Sequence, residues 1–113
     1  MSDTMQLMGM VIGIKPEKIA EYKRLHADAW PEVLAMIRAC NIRNYTIFLR
    51  EPENLLFSYW EYEGSDFKAD MARMDTHEPT REWWKLTDPC QTPLESRVPG
   101  EKWTSMEEVF HAD

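Results

Sequence analysis

The alternation of apolar and polar positions divides the first part of the chain into a strand and two helical pieces. Residues 6–14 carry almost no charge and are rich in methionine, valine and isoleucine, which predicts a strand that is apolar on both faces. Residues 16–29 have apolar side chains at helical spacing. Pro31 predicts a break at Trp30 and a second helical piece over residues 31–40, because proline cannot continue a hydrogen-bonded helix.

The middle of the chain predicts a hairpin and a second pair of helical pieces. Residues 42–49 and 55–62 are strand-like runs joined by a polar, proline-containing loop, which is typical of a β-hairpin. A helix is expected to open at residues 64–65. Another helical piece begins at Pro79 and is expected to stop at Pro89.

The last part of the chain is less regular. Residues 89–105 show no helix or strand period and are expected to form a long loop, which in so small a domain is usually functional or part of an interface. Met106–His111 is expected to form a short closing strand whose acidic pair faces solvent. The predicted order of strand, helix, strand, strand, helix, strand is that of an α+β, ferredoxin-like (split βαβ) domain with a four-stranded antiparallel sheet, occupying residues 1–113 as one domain.

Both faces of the predicted sheet are apolar, although helices can cover only one. In the first strand, one face carries Met8, Met10, Ile12 and Ile14, and the other carries Leu7, Gly9 and Val11. The simplest cover for the second face is the same face of another copy of the chain. The sequence therefore predicts a two-fold homodimer.

The charge balance narrows the class of ligand. Twenty acidic against thirteen basic residues give a net charge of −7 and a sequence pI near 4.9. Such a field repels nucleic acid and anionic lipid, so neither is expected as a partner. No stretch approaches the roughly 20 apolar residues of a membrane-spanning helix. A small neutral molecule remains compatible with this charge.

Two features favour the cytoplasm. Met1–Met10 has no positive charge ahead of its apolar residues and no small-residue cleavage site, so a secretory signal is not expected. The two cysteines, Cys40 and Cys90, do not form a framework of paired spacings. Free, buried, reduced thiols are expected in a reducing compartment.

His26 is the most informative candidate for chemistry. It follows Tyr22 by four residues and precedes Trp30 by four, so their side chains are expected along the helical stripe that faces the sheet. Tyr45, on the second strand with Ile47, is expected to face the same space. Polar-tipped rings that converge on an apolar cavity are typical of a small-molecule site. The alternative is a satisfied core histidine beside two ordinary tyrosines.

Trp83 and Trp84 are adjacent on a helix, so their side chains diverge by about 100°. One is expected to line the cavity while the other packs at its rim or at a subunit boundary. A flat indole suits the C–H face and methyl group of a deoxysugar, although tryptophan is also a common core residue.

Other kinds of site have no signature in this chain. The three histidines are widely separated, and neither H-x-x-x-H nor C-x-x-C occurs, so no metal site is predicted. The glycine-rich nucleotide fingerprints are also missing from the sequence, as are the local signatures of serine and cysteine nucleophiles.

Together these residues resemble the L-rhamnose mutarotase family. The matching runs, in family order, are EYKRLH at 21–26, WPE at 30–32, NYTI at 44–47, NLLF at 54–57, WWK at 83–85 and EEVF at 107–110. They span nearly the whole chain, and the combination is more specific than any single run.

The resemblance implies a cofactor-free, dimeric ferredoxin-like protein of the α/β-barrel type, which interconverts the anomers of L-rhamnose or a closely similar deoxyhexose. It places the catalytic histidine at His26 and the sugar-contacting residues at Tyr22, Tyr45, Trp83 and Trp84. We expect His26 to act as general acid toward the ring oxygen, with a phenol or water on the anomeric side. Two alternatives remain on fold analogy: a cofactor-free monooxygenase and a non-catalytic ligand-binding module.

Overall fold

The strand that begins the fold, β1 (Gln6–Ile14), lies inside the sheet, as its two apolar faces predict. The structure is a computed structural model and describes residues 5–113. β1 pairs antiparallel with β3 (Leu55–Tyr62), and β3 pairs antiparallel with β2 (Ile42–Arg50). The predicted hairpin of β2 and β3 is confirmed.

Helices cover one side of this sheet. They are, in chain order, α1 (Ile19–Ala27), α2 (Pro31–Ala39), α3 (Phe67–Thr76) and α4 (Glu78–Thr87). Short 3-10 turns precede α1 and follow α4, at Pro16–Lys18 and Asp88–Cys90. The predicted break is confirmed, because α1 ends at Ala27 and Trp30 is the residue that precedes the first turn of α2. Within residues 5–113, no helix has the length and apolar character needed to cross a bilayer.

The fourth position of the sheet is shared by two short strands, and here the sequence-based prediction is wrong. β4 (Gln91–Thr92) and β5 (Thr104–Met106) both pair antiparallel with β1. A strand was predicted over Met106–His111, but the observed strand β5 ends at Met106. The segment 89–105, predicted to be a loop, contains β4 and the start of β5. Alternating side chains indicate an apolar face, whereas a strand also requires a hydrogen-bonded neighbour.

The strand order is β2-β3-β1-β4, with β5 also on β1, and this is the predicted ferredoxin-like arrangement. The helix-covered side of the sheet does not form one continuous core. One buried cluster surrounds Ile12 and Tyr22, and a second surrounds Trp60 and Tyr62. Since both clusters contribute side chains to the cavity described below, the cavity occupies the space between them.

The start of α4 is fixed by a histidine cap. Nδ1 of His77 accepts hydrogen bonds from the backbone N–H of Thr80, at 3.3 Å, and from its hydroxyl, at 2.8 Å. Pro79 occupies the first turn, where its missing N–H leaves no bond unmade. This cap satisfies a backbone donor at the end of the helix that carries both tryptophans of the candidate site.

Candidate sugar site between helices and sheet

A cavity of about 560 Å³ lies between the helices and the sheet. Its wall includes all five side chains predicted from the sequence: Tyr22, His26, Tyr45, Trp83 and Trp84. Much of the remaining wall is aliphatic and comes from the sheet and from α2. A largely apolar cavity with a few polar tips has the size and lining of a site for one small molecule.

His26 lines this cavity and has one unprotonated ring nitrogen. Its Nδ1 lies 2.9 Å from the carbonyl oxygen of Tyr22, one helical turn earlier, and a carbonyl can only accept a hydrogen bond. The neutral imidazole therefore carries its hydrogen on Nδ1, as this hydrogen bond assigns it, and Nε2 keeps its lone pair. The ring packs at 4.2 Å from the Tyr22 ring and edge-on at 5.3 Å from Trp83.

The surroundings of His26 disfavour its charged form. Burial lowers the pKa of the imidazole from its ordinary value, and the hydrogen bond to the Tyr22 carbonyl opposes this effect without cancelling it. His26 is therefore mostly neutral at pH 7. With its tautomer fixed by Tyr22, it can accept a proton at Nε2 and return it.

Tyr22 is buried beside His26, with 5% of its surface exposed. Burial raises the pKa of its phenol well above the ordinary value, and a hydrogen bond from Gln91 only partly offsets this. The Gln91 Nε2 atom lies 3.1 Å from the Tyr22 hydroxyl oxygen. At neutral pH Tyr22 is consequently a protonated phenol, able to donate its hydrogen but unable to act as a base.

Tyr45 reaches the cavity because β2 is irregular beside it. The pairing of β2 with β3 shifts register between Arg43 and Thr46, and Asn44 adopts a positive φ of 53°. Such a bulge turns the following side chain to the other face of the sheet. Tyr45 therefore lines the cavity together with Ile47, as the sequence predicts. Although 42% of Tyr45 remains accessible, desolvation raises the pKa of its phenol to about 12.

The two tryptophans occupy different depths of the same wall. Trp83 is 7% exposed and packs edge-on against Trp30, with 5.4 Å between ring centroids. Trp84 is half-buried, and Nζ of Lys102 lies 5.6 Å from the centre of its ring. The adjacent indoles thus diverge as expected, with Trp83 inside and Trp84 nearer the surface, while both border the cavity.

The sequence-based reasoning did not identify two buried polar side chains at this site. Thr80 is 2% exposed and lines the cavity three residues before Trp83, a helical spacing from which it could have been identified. Gln91 contacts Tyr22 from β4. It had no detectable signal, because a strand of only two residues inside an irregular segment has no period.

Comparisons with known proteins bear on the family and the fold of this chain. The family model described as L-rhamnose mutarotase matches residues 8–112. The L-rhamnose mutarotases of Oceanobacillus iheyensis and Bacillus subtilis are each 32% identical over 109 residues, and each alignment covers 96% of this chain and all of the relative. A crystal structure of an L-rhamnose mutarotase from Formosa agariphila has the same fold, with a TM-score of 0.75 at 20% identity, covering 96% of this chain and 99% of that one.

The family model spans most of the chain, including the cavity wall from Ile14 to Trp84. The relatives match over nearly their full length, so the similarity is not confined to one motif. The chain therefore belongs to the L-rhamnose mutarotase family.

Proposed function

We propose that this protein interconverts the α and β anomers of L-rhamnose by opening and reclosing the sugar ring, with His26 as the group that moves the proton. The observation that supports this most directly is the imidazole in the cavity wall, whose Nδ1 is occupied by the Tyr22 carbonyl and whose Nε2 is left as a base. Anomer exchange needs one group that takes and returns a proton near neutral pH, and histidine is the side chain suited to this.

The proton path follows from the state of the imidazole. Nε2 of His26 takes the proton of the anomeric hydroxyl, the C1–O1 bond becomes a carbonyl, and the bond from C1 to the ring oxygen breaks with its electrons on that oxygen. The imidazolium then returns the proton to the ring oxygen. Rotation about C1–C2 and the reverse steps give the other anomer, so no co-reactant is consumed. Because burial lowers its pKa, His26 starts neutral and acts first as a base toward the anomeric hydroxyl, and the imidazolium so formed is the general acid toward the ring oxygen.

The phenols and indoles have separate tasks in this proposal. Tyr22 and Tyr45 remain protonated at neutral pH, and so they donate hydrogen bonds to sugar oxygens. Trp83 and Trp84 offer flat apolar surfaces to the C–H face and the methyl group of the deoxysugar. The sugar is neutral, which is compatible with a chain of net charge −7.

The proposed activity is testable by saturation-transfer NMR between the two anomeric protons of L-rhamnose. The protein is expected to accelerate their exchange over the buffer rate in proportion to its concentration. L-Mannose, which carries a hydroxymethyl group where rhamnose has its methyl, should exchange more slowly because the apolar wall gains less from it. Binding without acceleration would instead identify a ligand-binding module, and oxygen uptake with a quinol would identify an oxygenase.

We also propose that the protein is a homodimer formed through the sheet face opposite the helices. Phe48, Phe57 and Val11 are direct neighbours across β2, β3 and β1, and form an apolar row on that face. Phe48 is 61% exposed. A matching row on a second copy would remove the exposed surface of Phe48 and Phe57 from water, whereas Val11 is already buried. Because Cys40 and Cys90 are buried free thiols, we place the dimer in the reducing cytoplasm.

Replacing Phe48 with glutamate is expected to raise the dimer dissociation constant at least about tenfold, because a carboxylate would have to be buried between the two sheets. Val98→Glu is the matched control, since Val98 is also 61% exposed but lies in the loop between β4 and β5. Sedimentation velocity over a dilution series measures both variants. A parental protein that remains monomeric, or a Phe48→Glu variant that dimerises normally, would refute the proposed interface.

A further inference from the structure

Gln91 is the least expected side chain near the site. It lies on β4, opposite Ile14 of β1, and its side chain is buried, with 7% of the residue exposed. Its Nε2 donates to the Tyr22 hydroxyl oxygen across 69 positions of sequence. We infer that Gln91 is a positioning residue for the sugar: its amide donates to the Tyr22 oxygen and thereby directs the phenol's own hydrogen into the cavity. This inference rests on the proposed function, because it concerns the same site.

The direction of the hydrogen bond decides what Tyr22 can do. A phenol has one hydrogen to donate, and its oxygen can also accept. An amide NH₂ donates and accepts nothing, so the Tyr22 hydrogen cannot point back at Nε2. Since Tyr22 borders the cavity, that hydrogen is available to an oxygen of a bound sugar.

The side-chain oxygen of Gln91 argues against a role in packing alone. Oε1 of Gln91 is buried and has no hydrogen-bond partner among the described residues. Leaving a buried acceptor unpaired costs free energy, and an apolar side chain of similar length, such as methionine, would fill the space without that cost. The bond to Tyr22 is the benefit that a glutamine supplies here and methionine does not.

Backbone contacts with β1 fix the residues before and after Gln91. The N–H of Lys15 donates to the Cys90 carbonyl at 2.9 Å, and the next pairs of β1 with β4 include Gly13 opposite Thr92. A Cβ on Gly13 would lie 2.7 Å from the Thr92 carbonyl oxygen, so the close approach of the two strands requires glycine. Gln91 is therefore positioned by the sheet edge and not by a free loop.

Two substitutions separate donation from packing. Gln91→Met keeps the volume and removes the hydrogen bond, and we expect kcat/KM for L-rhamnose exchange to fall about three- to tenfold while the fold is retained. Gln91→Glu, measured at a pH where its carboxyl is ionised, supplies only acceptor oxygens, which would draw the Tyr22 hydrogen away from the cavity. We expect this variant to be slower than Gln91→Met. An equal rate for the ionised Gln91→Glu variant and the parental protein would show that donation by the amide is not needed, and would overturn the inference.

The same substitutions in a Tyr22→Phe background provide the decisive comparison. If Gln91 acts through the Tyr22 hydroxyl, Gln91→Met should change kcat/KM less than twofold once that hydroxyl is gone. An equal loss in both backgrounds, or a parental rate for Gln91→Met in the Tyr22 protein, would overturn the inference. If Gln91→Glu does not fold, this cycle with Gln91→Met still decides the question.

The parental protein is measured first, so that the two proposals fail in different ways. A parental protein that does not accelerate exchange removes the proposed function and with it the role of Gln91. A parental protein that accelerates exchange while Gln91→Met matches it leaves the function intact and removes only the role of Gln91. Thermal unfolding by circular dichroism accompanies each rate, because a purely structural role predicts a lower Tm for Gln91→Met, whereas loss of an unpaired buried oxygen predicts an equal or higher one.

Discussion

Replacing His26 with glutamine is expected to slow the exchange of L-rhamnose anomers by about 10²- to 10⁴-fold, the usual contribution of one positioned acid–base group. Glutamine is similar in length and can still donate to the Tyr22 carbonyl, which His26 contacts at 2.9 Å. It cannot take up a proton near neutral pH. The substitution therefore removes the proton transfer and preserves much of the local packing.

The matched control is His111→Gln. His111 lies in the exposed C-terminal segment, where its Nε2 lies 3.0 Å from Oδ1 of Asp113. This variant should exchange anomers at the parental rate. Both variants are compared by saturation-transfer NMR, with circular dichroism as the check that the fold is intact. A folded His26→Gln variant that keeps the parental rate would remove His26 from the mechanism.

The pH dependence of the parental protein tests the same assignment. If neutral His26 is the base, the rate should fall about tenfold per pH unit below the pKa of the imidazole. Burial lowers that pKa from the ordinary 6.5, so the midpoint should lie below pH 6.5. The same shift affects stability. Between the lowered pKa of His26 in the folded protein and the ordinary 6.5 of the unfolded chain, the unfolded chain binds more protons, so the free energy of unfolding falls as the pH drops. A rate that rises on acidification would mean that imidazolium is the reactive form.

The stripe through Tyr22 and His26 was predictable because helical spacing fixes which side chains share a face. Both rings do line the cavity. The face of the sheet on which Tyr45 lies was also predicted, because Tyr45 alternates in step with Ile47. The bulge that separates this part of β2 from Ile42 was not predicted, although Ile42 and Ile47 lie an odd number of positions apart and both pack on the helix-covered side.

The edge of the sheet was the part that the sequence could not specify. Short strands such as Gln91–Thr92 are held by pairing with β1 and not by a pattern of their own. The run after Met106 looks strand-like because Val109 and Phe110 are apolar. They are 90% and 81% exposed, and no strand forms there. Apolar character in this segment therefore did not indicate burial within the chain, and the contact of Gln91 with Tyr22 was hidden for the same reason.

Trp83→Ala is expected to lower the free energy of unfolding by about 3–5 kcal/mol, as large-to-small substitutions of buried aromatic residues do. Trp83 is 7% exposed and packs on both Trp30 and His26, with ring centroids 5.4 Å and 5.3 Å away. Since folded domains are stable by only about 5–15 kcal/mol, this loss is a large share of the total. Urea unfolding followed by far-UV circular dichroism, at one fixed protein concentration, measures it.

The neighbouring Trp84→Ala is the matched variant, because it removes the same side chain one position away. Trp84 is half-buried and faces Lys102 at 5.6 Å, so truncation should cost no more than about 1–2 kcal/mol. Its effect should appear instead as a higher KM for L-rhamnose, because the indole borders the cavity from nearer the surface. Equal losses of stability for the two variants would contradict the depths assigned to these indoles. An unchanged KM for Trp84→Ala would remove Trp84 from the sugar-binding wall, and leave Trp83 to bind the sugar from inside.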